Sequence, residues 1–201
     1  MLQILQPFGQ KNEPISAIIG LGANLPSKAG VPKQTLCHAL TLLESAEIEI
    51  KTTSHLYETP CFPAGAGPDY VNAVAMLSTV LSAVDLLSRL HRVEAEMGRE
   101  RVSRWGQRTL DVDLLAYGEV IHPDLATFQH WLNLPMKEQS KRVPERLILP
   151  HPRIQDRAFV LVPLAEIAPD WRHPVLGRTA KQMRDDLEEA EVAQVKALER
   201  C

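Results

Sequence analysis

Tyr70-Val71-Asn72-Ala73-Val74-Ala75-Met76-Leu77-Ser78-Thr79 alternates along its whole length. Side chains on a strand point to opposite faces in turn, so Val71, Ala73, Ala75 and Leu77 share one face. Tyr70, Asn72, Val74 and Met76 share the other.

Outward from this strand the elements follow in order. Pro60–Pro68 holds three prolines and two glycines, which predicts a loop. Ile48–Thr59 alternates and predicts a half-buried strand. Val31–Glu47 predicts a helix with Leu36, Ala39, Leu40 and Leu43 on one side, and Ile15–Gly22 a short buried strand. On the C-terminal side, Leu86, Leu87, Leu90, Val93 and Met97 repeat at helical spacing over Val84–Met97, and Gly98 supplies a stop. Leu110–Tyr117 predicts a further strand. The order β-α-β-β-α-β predicts an α+β fold with a ferredoxin-like core: an antiparallel sheet, two helices on one face, and the other face left for a ligand or further elements. A single domain over 1–201 is expected. The rest is a C-terminal extension: a probable insertion at about 126–146, irregular or briefly helical, extended segments at Leu147–Pro152 and Ala158–Val162, and a surface helix over 179–200.

The chemistry concentrates in Arg99–Asp113. Arg99, Arg101, Arg104 and Arg108 surround Trp105, and Asp111-Val112-Asp113 follows in an apolar run. Arginines neutralise phosphates. Two carboxylates at i and i+2 on a strand face the same way and suit one or two Mg²⁺ ions that bridge phosphate oxygens. Alone, such a pair is more often a solvated strand face; the arginines beside it shift the balance. For Trp105, packing on a planar ligand and plain core packing stand level. Tyr70 and Asn72 offer a ring to stack on and an amide that both donates and accepts. Taken singly, His151 reads as structural and Phe159 as core.

Composition narrows the alternatives. A formal net charge of −3 makes the basic stretch local and speaks against a general nucleic-acid binder. A ferredoxin-like domain can also be an RNA-binding module, but the aromatic-rich pattern that reading needs is not found in this sequence. No G-x-x-x-x-G-K-[ST] run is present for an ordinary nucleotide kinase. Cys37, Cys61 and Cys201 are odd in number and fit no disulfide or zinc pattern, so a reducing, cytoplasmic setting is expected. Met1–Pro14 lacks a signal-peptide pattern, and Ala158–Ala168, the longest apolar run, is too short to span a bilayer.

Several stretches jointly resemble the 6-hydroxymethyl-7,8-dihydropterin pyrophosphokinase family. They are Ile19-Gly20-Leu21-Gly22-Ala23-Asn24-Leu25, Tyr57-Glu58-Thr59-Pro60, Pro68-Asp69-Tyr70-Val71-Asn72, Arg104-Trp105-Gly106-Gln107-Arg108-Thr109-Leu110-Asp111-Val112-Asp113-Leu114-Leu115, Leu149-Pro150-His151-Pro152-Arg153 and Asp156-Arg157-Ala158-Phe159-Val160. They run in family order across 15–171. The resemblance implies transfer of pyrophosphate from ATP to the hydroxymethyl-dihydropterin in folate biosynthesis, giving AMP and the pterin diphosphate. It implies two Mg²⁺ on Asp111 and Asp113, with Arg99 and Arg108 also catalytic. A pterin pocket would comprise Thr59, Pro60, Phe62, Tyr70, Asn72, Trp105 and Phe159. ATP would meet His91, Arg99, Arg101, Trp105, Arg108, His151 and Arg157, with Arg101 and Trp105 on a mobile lid. Gln107 stands where the family commonly has Pro, and His91 where a member often has Gln. Partners are expected to be these small molecules alone, with no nucleic acid or membrane, and the chain a monomer. An inactive descendant is disfavoured, because every implied metal and phosphate residue is present.

Overall fold

The computed structural model describes residues 13–61, 67–98, 109–135, 138, 142 and 144–201. The chain begins with strand β1 (Ile15–Ala23), helix α1 (Pro32–Leu43), β2 (Ile48–Thr53), β3 (Tyr57–Thr59), β4 (Tyr70–Thr79), α2 (Ala83–Glu96) and β5 (Asp111–Tyr117). Helix α3 (Leu125–Asn133), a 3-10 turn (Ile154–Asp156), α4 (Ala158–Ile167), the short α5 (Ala180–Asp185) and α6 (Glu189–Val192), and β6 (Lys196–Ala197) complete it. The sheet runs β5-β1-β4-β3-β6, with β2 also paired to β4, and all these pairings are antiparallel. The architecture is therefore α+β, as expected.

The two faces of β4 separate as its alternation predicts. Val71, Ala73, Ala75 and Leu77 join Ile19 and Leu21 of β1, Val112 and Leu114 of β5, and the apolar sides of α1 and α2 in the larger core. Leu36, Ala39, Leu40 and Leu43 lie in it from α1, and Leu86, Leu90, Val93 and Met97 from the α2 segment. Ser82 caps α2 by accepting from Asp85 N–H, and Gly98 follows its end at φ +82°, where a side chain would be strained.

On the opposite face, Ile18, Val74 and Leu115 meet Val160, Leu161 and Leu164 of α4 and Met183 of α5. This second layer stops short. Beyond Ile18 and Val74 the same face continues through Gly20, Gly22, Asn72, Asp111 and Asp113, as the register shows: Gly22 is paired with both Asn72 and Asp111, and Gly20 with Asp113.

Four expectations are corrected. The strand over 48–59 is two strands, because Ser54 interrupts it: its hydroxyl accepts from Val74 N–H at 3.1 Å and takes a place in the ladder. Residues 158–162 open a helix rather than an extended segment, and Val160 and Leu161 bury in the second core. The helix over 179–200 is instead α5, α6 and β6; β6 pairs with β3, and Leu198 N–H donates to Leu56 O at 2.7 Å. Cys37 and Cys201 form a disulfide with Cα atoms 5.2 Å apart, against the expectation of unpaired thiols, while Cys61 is free and buried. Within the expected insertion, α3 is helical and buries Phe128.

Candidate active site

Where the second layer ends, three strands leave a strip without side chains. A Cβ on Gly22 would sit 2.9 Å from Asn72 Oδ1, closer than packed atoms approach. A Cβ on Gly20 would sit 3.3 Å from Leu115 Cδ1. The strip is thus floored by main chain, with Asn72 on one side and the Asp111 and Asp113 pair on the other. Strands lie about 4.8 Å apart, so Asn72 and Asp111 are separated by roughly 10 Å across β1.

Asn72 is buried and rigidly aimed. Its Nδ2 donates to Thr59 Oγ1 at 2.7 Å, which leaves Oδ1 over Gly22. Thr59 pairs with Tyr70 in the ladder, and Tyr70 is half-buried on the same face as Asn72. Asp69 accepts from Cys61 N–H at 3.1 Å and Asn24 Nδ2 donates to Pro68 O at 3.1 Å, fastening both ends of the proline-rich loop. Pro60 is exposed.

Asp111 and Asp113 are half-buried at the start of the edge strand β5. Arg157 Nη1 lies 3.7 Å from Asp113 Oδ2, and the same guanidinium stands 5.6 Å from the centre of the Phe159 ring. Phe159 is 39% exposed, which excludes it from the core where its residue type would place it. The 150–157 segment is held against β5 by its main chain: His151 N–H donates to Leu115 O at 2.7 Å. That carbonyl is available because β5 bulges here, with one extra residue against Ile18 and Ile19.

The His151 imidazole is neutral. Burial pushes its pKa down to about 3, and the Arg157 charge acts in the same direction, against a smaller opposite pull from Asp111. Nδ1 accepts from Arg153 N–H at 3.1 Å, so the ring proton sits on Nε2, which can donate but not deliver a proton as imidazolium. His173 behaves alike: burial lowers its pKa to about 4, Nδ1 accepts from Val175 and Leu176 N–H, and the ring lies beside Phe128 and Trp171.

These two rings give a pH prediction. Both folded pKa values lie below the unfolded value of about 6.5, so unfolding takes up protons once the pH drops. Their contribution is complete above pH 6.5 and is lost as pH falls towards 4 and then 3. At pH 5 both are still neutral in the fold, and each costs about 2 kcal/mol relative to pH 7. Denaturant midpoints at pH 7 and pH 5 check this; equal midpoints count against buried, neutral rings.

Glu166 gathers a separate cluster. It accepts from His55 N–H, His55 Nδ1, the Tyr57 hydroxyl and Arg200 Nη2. These bonds tie β3 and, through Arg200, the C-terminal tail to α4 rather than line the open strip.

The structure therefore brings together Asp111, Asp113, Arg157, Phe159 and His151, and separately Thr59, Tyr70 and Asn72 on the same sheet face. His91 is exposed on α2, whose apolar side packs on the opposite face. Phe62, Arg99, Arg101, Trp105 and Arg108 lie outside the described residues, so the lid expectation does too. Three contributors were given no role from the sequence. Gly20 and Gly22 show their purpose only once strand register is known. Glu94, a buried acid among Leu90, Val93 and Met97, was signalled by a charge on the apolar side of α2. Among the described residues no group of three or more His, Cys, Asp or Glu is placed to hold a metal, and no helix is long and apolar enough to cross a membrane.

Comparison with known proteins settles the family. The model of 7,8-dihydro-6-hydroxymethylpterin-pyrophosphokinase matches residues 18–169. The chain belongs to that family. It is 38% identical over 175 residues to the 2-amino-4-hydroxy-6-hydroxymethyldihydropteridine pyrophosphokinase of Haemophilus influenzae, covering 85% of this chain and 94% of that one. The enzyme of the same name from Pseudomonas aeruginosa is 40% identical over 158 residues, covering 78% and 82%. That from Synechocystis is 38% identical over 173 residues, covering 86% and 76%. Among solved structures, wild-type Plasmodium falciparum HPPK-DHPS aligns with a TM-score of 0.62 at 17% identity, over 88% of this chain. The chain spans 41% of that protein, and the likeness is one of fold. Every stretch quoted for the resemblance begins within the matched residues.

Proposed function

We propose that this chain, as a pyrophosphokinase of its family, transfers the β,γ-pyrophosphoryl group of ATP to 6-hydroxymethyl-7,8-dihydropterin. The substrate hydroxyl oxygen bonds to the β-phosphorus, the bond from that phosphorus to the α,β-bridging oxygen breaks, AMP leaves and the hydroxyl proton passes to solvent. The observation that carries this reading is the register Asn72–Gly22–Asp111 across three adjacent strands. It sets an amide for reading a heterocycle and a carboxylate for a metal–phosphate group on two sides of a bare strip. Family membership supplies the chemistry that fits such a strip.

The pterin ring lies over the glycine strip, with Asn72 Oδ1 reading its edge, Tyr70 and Phe159 against its faces, and Thr59 keeping Asn72 turned. Asp111 and Asp113 would hold Mg²⁺; two carboxylates completed by substrate phosphates are an ordinary donor set for that ion. Bound there, Mg²⁺ offsets phosphate charge and orients the triphosphate. Arg157 stands beside Asp113, and its guanidinium would meet ATP phosphate oxygens where a cation takes up that carboxylate's charge. His151, kept neutral, donates from Nε2 on the ATP side. Family resemblance would give Arg99 and Arg108 phosphate contacts and Arg101 and Trp105 a lid role, all outside the described residues, and would give the exposed His91 of α2 an ATP contact. Rate enhancement comes from positioning and charge stabilisation rather than from a protein base.

The strip yields a paired prediction. Gly22→Ala places a methyl against Asn72 Oδ1 and weakens pterin binding roughly tenfold, the worth of one displaced hydrogen-bonding group. Gly20→Ala meets the end of the flexible Leu115 side chain, so the fold accommodates it, and it costs less pterin affinity than Gly22→Ala because Asn72 is left undisturbed. Calorimetric titration with the pterin distinguishes them; equal affinities refute the floor assignment.

Product identity tests the function. Incubation with ATP, Mg²⁺ and 6-hydroxymethyl-7,8-dihydropterin is expected to give AMP and pterin diphosphate in equal amounts. ADP as the nucleotide product, or no product from folded protein, overturns the proposal.

A further inference from the structure

Glu94 is the buried charged residue that the reaction leaves without a role. It is 2% exposed on α2, between the sheet and the helix layer, in a row with Leu90, Val93 and Met97. Its Oε1 accepts a hydrogen bond from the backbone N–H of Val112 at 2.8 Å. Val112 is the residue between Asp111 and Asp113, and β5 is the edge of the sheet. Among the described residues no strand follows on that side, and Val112 is itself 2% exposed, so neither a neighbouring ladder nor bulk water is placed to satisfy this amide.

Burying a carboxylate is costly, and an apolar residue at this helix position would pack without that cost. A buried acid that reaches past its helix to an edge-strand amide fixes the position of that backbone. We infer that Glu94 is a positioning residue: through the Val112 amide it sets the backbone that aims Asp111 and Asp113 at one divalent-cation site. This rests on the Mg²⁺ assignment made above. The same bond joins the end of α2 to the start of β5, so it anchors both stems of the arginine-bearing segment 99–108.

The test compares Glu94→Gln, whose amide oxygen accepts the same bond, with Glu94→Ala and Glu94→Met, which offer no acceptor; Met retains the volume should Ala fail to fold. The Ala and Met variants are expected to raise the half-saturating Mg²⁺ concentration of AMP formation about ten- to hundredfold, the usual effect of losing a group behind a metal ligand. Pterin affinity without metal stays unchanged, and amide exchange at Val112 accelerates. Glu94→Gln restores the wild-type Mg²⁺ requirement to within about threefold. An unchanged requirement in Ala and Met, or a Gln variant as impaired as they are, overturns the inference. Mn²⁺ binding in the presence of a non-hydrolysable ATP analogue reads the same site without turnover. If the unaltered protein forms no AMP, the reaction reading fails alone; equal Mn²⁺ affinity in all variants overturns the role of Glu94.

Discussion

Asp111→Ala and Asp113→Ala each lower AMP formation by roughly a thousandfold with Mg²⁺ as the sole divalent ion. The two carboxylates share one sheet face at the edge of the open strip, so neither has a substitute nearby among the described residues. Removing either leaves triphosphate charge uncompensated at the point where the incoming oxygen must approach. The fold survives, because Asp113 is 43% exposed and its pairing with Arg157 at 3.7 Å is loose. An ion pair of that kind contributes at most about 1 kcal/mol. Turnover by separated nucleotides and stability by denaturation are measured on the same preparations. Wild-type turnover in both variants removes the metal assignment.

Reduction of the Cys37–Cys201 bond, or Cys201→Ser, is expected to have the largest effect on stability. The linked residues are 164 apart in sequence, and closing so long a loop restricts the unfolded chain by about 5 kcal/mol in the chain-entropy model, with about 2–4 kcal/mol typical in practice. The tail has other ties: β6 against β3, Lys33 to Glu199 at 2.9 Å, and Arg200 to Glu166 at 2.6 Å. Those ties keep the folded structure similar after reduction, so the cost falls mainly on the unfolded side. Urea midpoints of oxidised, reduced and Cys201→Ser protein check this. Coincident midpoints show that the non-covalent contacts alone secure the tail.

What the sequence disclosed follows from periodicity. The alternation over Tyr70–Thr79 and Asp111–Asp113 assigns side chains to faces without any knowledge of partners, so Asn72 and the two acids were placed correctly. The helical repeat of Leu86, Leu90, Val93 and Met97 and the Gly98 stop gave α2 nearly to the residue. Periodicity is silent where the backbone makes an exception. Ser54 breaks a strand through a hydroxyl, a choice its alternating neighbours do not record. Ala158–Ile167 is apolar on nearly every side, and such a run reads equally as a buried strand or a buried helix. Glu189–Arg200 has helical composition, but pairing with β3 overrides it in the last residues. The disulfide depended on two Cα atoms meeting at 5.2 Å, which no spacing reveals. Glu94 was signalled by a charge on the apolar side of α2, but an acid on a helix is normally solvated, and its purpose shows once the edge amide beside it is known.

The glycine strip also bears on inhibitor resistance. A contact surface made of main chain has no side chain to exchange, so point substitutions cannot alter its hydrogen-bonding chemistry; they can only fill it. A compound seated on Gly20 and Gly22 would meet resistance there only through added bulk. The 2.9 Å clearance above Gly22 means that bulk at that position disturbs the natural substrate's reader along with the drug.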